Sequence, residues 1–344
     1  MEWTVNGHHI LLIIGVTFFA SLLLVPIIKK IALHVGAVDI PNERKVHTKI
    51  IPRLGGLAIF LAFLIGYIFF AKNNAQMLSI LIGSFLIIIL GIFDDIKSIK
   101  ARYKLIIQIL AASVVVFYGN ISLTEISAFG ISLSFGSWSY PLTIIFITAI
   151  INAINFIDGL DGLAAGVSSI YFATIATIAF ILNRIGGLDT ILCLLMLGST
   201  LGFLVYNFHP ASIFMGDTGS MFLGFMIAVI ALLGYKAATV TSLIVPILVL
   251  FLPIIDTFFA IFRRIIKGEN IGKPDKEHIH HQLLKLNKST KKTVFIMYGI
   301  SLLCALISIF YALGDNNKAI LLYIGLLLVV AFLIFKTDIL FKQK

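Results

Sequence analysis

Hydrophobic residues in this chain form long blocks that are separated by short polar stretches. A helix needs about 20 apolar residues to cross a bilayer core of about 30 Å, and most of the blocks approach that length. The pattern predicts an all-α polytopic membrane protein with about eleven transmembrane helices. The predicted spans cover residues 10–29, 54–71, 77–93, 104–119, 138–157, 163–182, 188–206, 219–235, 240–262, 293–313 and 318–335.

Basic residues are divided unequally between the two sides of this arrangement. If the N-terminus lies outside, the connections after odd-numbered spans and the C-terminal tail are cytoplasmic. All but four of the 26 Lys and Arg residues then face the cytoplasm, as positively charged loops do in membrane proteins. The four exceptions are Lys72, Arg184, Lys236 and Lys318. The predicted orientation is therefore N-terminus outside and C-terminus cytoplasmic.

Composition agrees with a membrane protein. The chain has 344 residues, of which 60% are hydrophobic and 12% charged, whereas a soluble domain has about 25% charged residues. We expect one integral membrane domain over 1–344, with a long cytoplasmic basic and histidine-containing loop at 263–292. Topology accounts for most of the net charge of +10, so no nucleic-acid partner is expected. No basic residue precedes the first block, which predicts a retained span rather than a cleaved signal peptide.

Polar clusters follow spans three, five, seven and nine, which all end on the same side of the membrane. We therefore expect four clusters to converge at the cytoplasmic face. These clusters are Asp94-Asp95, Asn155 to Asp161, Asn207 to Asp217, and His278 to His281. On the opposite side, residues 120–137 alternate polar and apolar positions, which predicts a short external β-hairpin.

Adjacent carboxylates at a membrane boundary repel each other and are costly to bury. A divalent cation would relieve the repulsion at Asp94 and Asp95, and Mg²⁺ prefers carboxylate oxygens together with substrate phosphates. The alternative is a solvated pair that ends a helix. Asp158 and Asp161 are three residues apart and would share a helix face, although they could also serve only as helix-end caps.

The third and fourth clusters are also suited to phosphate. Asp217 or Thr218 could cap the next helix, whose N-terminus favours anions. The three histidines at 278–281 lie among lysines, without the cysteine or carboxylate partners of a zinc site, so they favour phosphate or nucleotide contacts over zinc. A simple polar loop is the alternative. Asp256, inside the ninth span, is either functional or paired with a neighbouring helix.

Together these clusters suit a reaction at the membrane surface between a water-soluble phosphate compound and a lipid phosphate. Mg²⁺ would stabilise the charge that develops during phosphoryl transfer. Basic side chains would hold the remaining phosphate oxygens. The lipid tail would lie in a groove between spans.

Seven short motifs support a more specific assignment. They are Arg44-Lys45-Val46-His47, Pro52-Arg53-Leu54-Gly55-Gly56, Asp94-Asp95, Ala101-Arg102-Tyr103-Lys104, Asn152 to Leu163, Asn207 to Ser220, and His278 to His281. In this order they resemble the polyprenyl-phosphate N-acetylhexosamine-1-phosphate transferases, the superfamily of MraY, WecA and TagO. One motif alone would be weak, but the ordered set covers almost the whole chain.

The resemblance implies transfer of a sugar 1-phosphate from a UDP-sugar to undecaprenyl phosphate, with release of UMP. It implies Mg²⁺ as cofactor, with Mn²⁺ as a substitute, and Asp217 and Asp95 as metal ligands. The lipid phosphate would attack directly, with Asp94 as a base, or the reaction would pass through an aspartyl-phosphate; both routes stay open. The implied catalytic residues are Asp94, Asp95, Asp158, Asp161, His280 and His281. The implied substrate-binding residues are Lys45, Arg53, Arg102, Lys104, Asn155, Asn207, Phe214 and His278.

The stretches at 207–210 and 278–284 resemble the WecA and TagO branch. The resemblance gives MraY enzymes a ten-span arrangement, whereas an eleventh span and a cytoplasmic tail are predicted for this chain. The resemblance thus implies UDP-N-acetylglucosamine as donor, for teichoic acid or a related surface glycan, at the cytoplasmic face of the bacterial plasma membrane. An MraY-type muramoyl-pentapeptide transferase is the alternative. A membrane transporter is the alternative from another class, although transport sites typically lie on broken helices near the bilayer midplane. A homodimer is left open.

Overall fold

The structure is a computed structural model that contains antiparallel helices and three small hairpins. The described residues are 3–41, 50–128, 131–183, 186–237, 250–266, 278–314, 318–319, 321–326 and 328. The helices are α1 (Ile10–His34), α2 (Gly55–Phe70), α3 (Ala75–Ile96), α4 (Ala101–Ser113), α5 (Ser139–Ile157), α6 (Leu163–Ile181), α7 (Leu188–Asn207), α8 (Gly216–Ala237), α9 (Phe251–Ile266), α10 (Ile279–Asn287) and α11 (Thr290–Ala312).

Eight helices within these described ranges are long and apolar enough to cross a membrane. This confirms the predicted all-α polytopic class. The α2 helix is apolar but has only 16 residues, which corresponds to a length of about 24 Å. The predicted spans 240–262 and 318–335 extend beyond the described residues. The α4 helix continues through a π-helical turn at Val114–Tyr118, so that together they form one span.

The α8 helix forms the centre of the bundle. It packs against α2, α3, α5, α6 and α7, and its side chains from Met221 to Leu233 are almost all buried. A helix that is apolar on every side is stable only when it is enclosed. By contrast, α1 exposes Leu11, Phe19 and Leu23, an apolar surface that suits contact with lipid rather than water.

The described residues form three two-stranded antiparallel sheets. The strands are β1 (Thr4–Val5), β2 (His8–His9), β3 (Val38–Asp39), β4 (Ile51–Pro52), β5 (Glu125–Ala128) and β6 (Ile131–Ser134). The β1–β2 sheet precedes α1, and the other two lie between helices. The β5–β6 pair confirms the hairpin predicted within 120–137. The β3–β4 pair was not predicted, and it carries the chain directly into Arg53 and the start of α2.

The N-terminal turns of α2 and α8 touch through their backbones. The Gly55 and Gly56 amides donate to the carbonyls of Phe214 and Met215, at 2.9 Å each. A Cβ atom on Gly56 would lie 2.0 Å from the backbone nitrogen of Gly219. Any larger residue at position 56 would therefore push the two helices apart.

We expect Gly56→Ala to destabilise the protein by about 1–3 kcal/mol, the usual cost of overpacking. Thermal unfolding in detergent should show a fall of at least about 2 °C in the midpoint. Gly15→Ala is the matched control, because a Cβ atom at this α1 position meets nothing within 4 Å. Equal midpoints for the two variants would contradict the close approach of α2 and α8.

Candidate active site

The predicted polar clusters meet at one end of the helix bundle, around a cavity of about 870 Å³. The cavity lies beside the C-terminal ends of α1, α5 and α7 and the N-terminal ends of α2 and α8. This confirms the predicted convergence of the clusters. The predicted site residues that line the cavity are Arg53, Asn155, Asp158, Asp161, Asn207, Phe214, Asp217 and His281.

Asp95, on α3, holds the start of α8. Its Oδ1 accepts hydrogen bonds from the Asp217 amide at 2.9 Å and from Arg53 Nε at 3.1 Å. Its Oδ2 accepts from the Thr218 amide at 3.1 Å and the Thr218 hydroxyl at 2.6 Å. Gly216 has a φ of +72°, and a Cβ there would collide with this carboxylate. The Asp95 side chain is fully buried, and its role as a metal ligand stays a prediction.

Lys104, at the start of α4, joins the other two carboxylates. Its Nζ donates to Asp94 Oδ2 at 2.7 Å and to Asp217 Oδ2 at 2.5 Å. The second Asp94 oxygen accepts from the Ile99 amide at 2.7 Å. Arg53 Nη2 lies 3.8 Å from Asp217 Oδ1. Two cations thus hold the carboxylates together, and Asp217 is the one of the three aspartates in this cluster that reaches the cavity.

Asn155 approaches Asp217 from α5. Its amide donates to Ser220 Oγ at 2.8 Å and to Asp217 Oδ1 at 3.3 Å. One turn deeper, Asn152 donates to Gln108 Oε1 at 2.8 Å. Hydrogen bonds between polar groups inside a bundle link helices where the surroundings offer no water. These bonds connect α4, α5 and α8 directly beneath the cavity.

The loop that precedes α8 is held by Asp161. The Asp161 Oδ2 atom lies 2.7 Å from His209 Nδ1 and accepts from the Ala211 amide at 3.0 Å. The His209–Pro210 peptide bond is cis. His209 lines the cavity with its ring partly exposed. Asp161 therefore shapes the cavity wall by fixing a loop 50 residues further along the chain.

Asn207 and Phe214 complete that wall. Asn207 accepts from the Gly162 amide at 3.1 Å and donates to the Ile213 carbonyl at 3.0 Å, so its side chain fastens two loops together. The Phe214 amide donates to the Pro52 carbonyl at 2.8 Å. This backbone contact places the aromatic side chain beside the Arg53 segment.

The histidine motif lies at the start of α10 and is anchored by Asp256. His278 Nδ1 is 3.1 Å from Asp256 Oδ2, and the Ile279 amide donates to Asp256 Oδ1 at 2.9 Å. This confirms the pairing alternative for Asp256. The His280 and His281 rings lie 4.3 Å apart, yet only His281 of the motif lines the cavity.

Burial decides the charge of the histidines. It lowers the pKa of His280, and burial together with His280 and His278 lowers the pKa of His281 to about 4. The neutral form of both rings is therefore favoured. Arg53 and Lys104 supply positive charge to this site.

Burial also disfavours the ionised form of Asp158, but for a carboxylic acid this raises the pKa instead of lowering it. Burial, followed by the neighbouring Asp217 and Asp95 carboxylates, raises the pKa of Asp158 to about 8. Like charges close together disfavour the ionised form. A cation placed between the cavity carboxylates would reverse this effect.

Arg102 is a predicted substrate-binding residue that does not line the cavity. Arg102 is exposed, and its guanidinium carbon lies 4.8 Å from the centre of the Tyr103 ring. Lys45 and its motif lie outside the described residues. Conversely, Lys29 and His209 line the cavity but were not predicted as site residues. His209 could have been predicted, because it is a polar residue next to Pro210 in the loop of the third cluster. Lys29 gives no such signal, because in the sequence it is only one of the basic residues that follow the first span.

No group of three His, Cys, Asp or Glu side chains that could hold a metal ion occurs among the residues described. A Mg²⁺ site does not require three such side chains, because Mg²⁺ usually keeps several waters and binds through one or two carboxylates plus substrate phosphates. Asp158 and Asp217 supply such carboxylates at the cavity.

Comparison with known proteins decides the family. The model of glycosyl transferase family 4 matches residues 77–235. A Bacillus subtilis (strain 168) protein named "Probable undecaprenyl-phosphate N-acetylglucosaminyl 1-phosphate transferase" is 43% identical over 303 residues, covering 86% of this chain and 84% of the relative. The chain belongs to the polyprenyl-phosphate N-acetylhexosamine-1-phosphate transferase superfamily.

Other members of the superfamily match along most of their length. The decaprenyl-phosphate N-acetylglucosaminephosphotransferase of Mycobacterium tuberculosis H37Rv is 35% identical over 340 residues, covering 89% of this chain and 83% of the relative. The undecaprenyl-phosphate α-N-acetylglucosaminyl 1-phosphate transferase of Escherichia coli O157:H7 is 29% identical over 338 residues, covering 94% and 89%. The superfamily assignment therefore applies to the whole membrane domain.

Because the pKa of Asp158 is raised, we expect Asp158→Asn to stabilise the folded, metal-free protein by an amount that increases with pH. Folding keeps Asp158 protonated, so the folded state loses stability as pH rises from the ordinary aspartate pKa towards 8. The amide avoids this cost. In EDTA, we expect the melting midpoint of the variant minus that of the wild type to grow between pH 6 and pH 9, by about 2 °C or more.

The control is Glu125→Gln, which removes the charge of an exposed β5 carboxylate that does not line the cavity. Its difference from wild type should stay constant across the same pH range. A difference for Asp158→Asn that is also constant would show that Asp158 ionises normally in the folded protein.

Proposed function

We propose that this protein transfers N-acetylglucosamine 1-phosphate from UDP-N-acetylglucosamine to undecaprenyl phosphate, giving the lipid diphosphate sugar and UMP. The observation that carries the proposal is the Asp217–Lys104–Arg53 cluster at the end of a membrane bundle, next to a cavity of about 870 Å³. Carboxylates and fixed cations together suit a diphosphate and its metal ion. The names of the relatives supply the sugar and the polyprenyl acceptor.

We place the reaction at the cytoplasmic face of the bacterial plasma membrane, with eleven spans, the N-terminus outside and the C-terminus inside. The distribution of Lys and Arg supports this orientation. The product would be the first lipid-linked intermediate of teichoic acid or a related surface glycan. A homodimer remains compatible with this arrangement.

The residues at the cavity fit Mg²⁺, with Mn²⁺ as a substitute. Oxygen ligands are available from Asp217 and Asp158. The pKa of Asp158 is raised first by burial and then by neighbouring carboxylates, whose negative charge a cation would balance. Both Asp95 oxygens are already bonded to Arg53 and α8, so Asp95 acts by holding the α8 loop. When bound, the ion would neutralise diphosphate charge at the reacting phosphorus.

Direct attack by the lipid phosphate is the mechanism that the geometry favours. An aspartyl-phosphate would need a free Asp94 or Asp95 oxygen facing the donor, but both side chains are buried and bonded. A phosphate monoester has a second pKa near 6, so the lipid phosphate is largely dianionic at neutral pH and needs little help from a base. Asp94 would then orient Lys104, whose ammonium would stabilise charge on the phosphoryl oxygens.

The donor assignment is tested with purified protein, undecaprenyl phosphate and Mg²⁺, by offering one nucleotide at a time. We expect UMP and a lipid product from UDP-N-acetylglucosamine and none from UDP-N-acetylmuramoyl-pentapeptide, since the relatives act on N-acetylglucosamine by name. Omission of the lipid is the control for simple hydrolysis. Turnover with the pentapeptide nucleotide alone would make the protein an MraY-type transferase. If neither nucleotide gave UMP, the proposal would be refuted.

The metal role of Asp217 is tested with Asp217→Asn, which keeps the shape of the side chain. We expect turnover at saturating Mg²⁺ to fall by about 10²–10³-fold, as for loss of one preorganised charge at a reacting centre. The control is Lys100→Gln, an exposed residue one turn from Lys104, which should keep wild-type turnover. Normal Mg²⁺-dependent turnover in Asp217→Asn would remove this residue from the metal site.

A further inference from the structure

Asp256 is a buried carboxylate on α9 that lies outside the catalytic cluster. Its side chain is 3% exposed. It accepts from the Ile279 amide at 2.9 Å and contacts His278 Nδ1 at 3.1 Å, while His280 Nδ1 lies 3.7 Å away. All three partners are at the start of α10, more than 20 residues along the chain.

The contact with Ile279 is a helix cap supplied from another helix. The α10 helix begins at Ile279, and the residue before it, His278, makes no side-chain capping bond. The first amides of a helix have no partner within it. A carboxylate at that position satisfies one amide and interacts favourably with the helix dipole. Asp256 thus sets where α10 begins and in which direction its first turn faces.

The first turn of α10 reaches the donor cavity by two routes. His281 lines the cavity directly. His280 is fully buried and presses against the loop that carries Asp158, because a Cβ atom on Gly159 would lie 2.3 Å from His280 Nε2. A shift of α10 would therefore move His281 and relax the packing behind Asp158.

We propose that Asp256 is a positioning residue of the transferase: it fixes the first turn of α10 so that His281 faces the donor and His280 supports the Asp158–Gly159 loop. This role rests on the proposed function only for the identity of the donor. A buried charge costs more than an apolar side chain of similar size. The contacts on both Asp256 oxygens supply the compensation.

The experiment compares Asp256→Ala and Asp256→Asn with Thr257→Val. Asparagine keeps an oxygen that can accept from the Ile279 amide, so it should rescue part of the loss. Thr257 is the neighbouring α9 residue, and its hydroxyl bonds to Pro253 within the same helix, which makes Thr257→Val the matched control. Each protein is studied by hydrogen–deuterium exchange and by steady-state kinetics with each substrate varied.

For Asp256→Ala we expect exchange to accelerate by about tenfold or more in residues 279–287 and 157–162, with the other helices as in wild type. We also expect the KM for UDP-N-acetylglucosamine to rise by about tenfold while the KM for undecaprenyl phosphate stays unchanged. Asp256→Asn should lie between Asp256→Ala and wild type, and Thr257→Val should match wild type.

Wild-type exchange in both segments of Asp256→Ala would overturn the proposal, as would acceleration throughout the helices, which indicates general loss of stability. An equal rise in KM for both substrates would overturn it as well. The exchange result is independent of turnover. If the wild-type protein released no UMP from any donor, the proposed function would fail, while exchange would still decide the role of Asp256.

Discussion

The structure of the site depends on the placement of the Asp95 carboxylate at the beginning of α8. This one side chain joins α3 to the first amides of α8 and also binds Arg53 from the segment before α2. Such a buried charge is stable only because every oxygen has donors. The same bonds hold Asp217 at the cavity edge, so the position of the carboxylate that faces the cavity follows from a buried one.

Asp256 repeats this arrangement at α10. In both cases an aspartate on one helix caps the first turn of a different helix, and the capped turn carries a residue that lines the cavity. The carboxylate and the helix dipole attract each other strongly where water is scarce. These bonds fix the first turns of α8 and α10, and preorganised catalysis requires such fixed groups.

Charge within the site is divided between groups with different tasks. Lys104 and Arg53 balance the carboxylates, whereas burial keeps His280 and His281 neutral. Neutral imidazoles can recognise polar groups of a donor without competing with a metal ion for the carboxylates. The division explains how a diphosphate, a cation and several aspartates could share one cavity at the end of an apolar bundle.

The sequence by itself determined the membrane class, most helix positions, the hairpin at 125–134 and the convergence of the aspartate and histidine motifs, because hydrophobic block length and charge asymmetry are local properties of the chain. It could not determine which aspartates face the ligand. Asp95 and Asp217 are both acidic residues at helix ends, and only tertiary contacts bury one and leave the other at the cavity. The partners of Asp256, and the inclusion of Lys29 and His209 in the wall, were likewise decided by packing between segments distant in sequence.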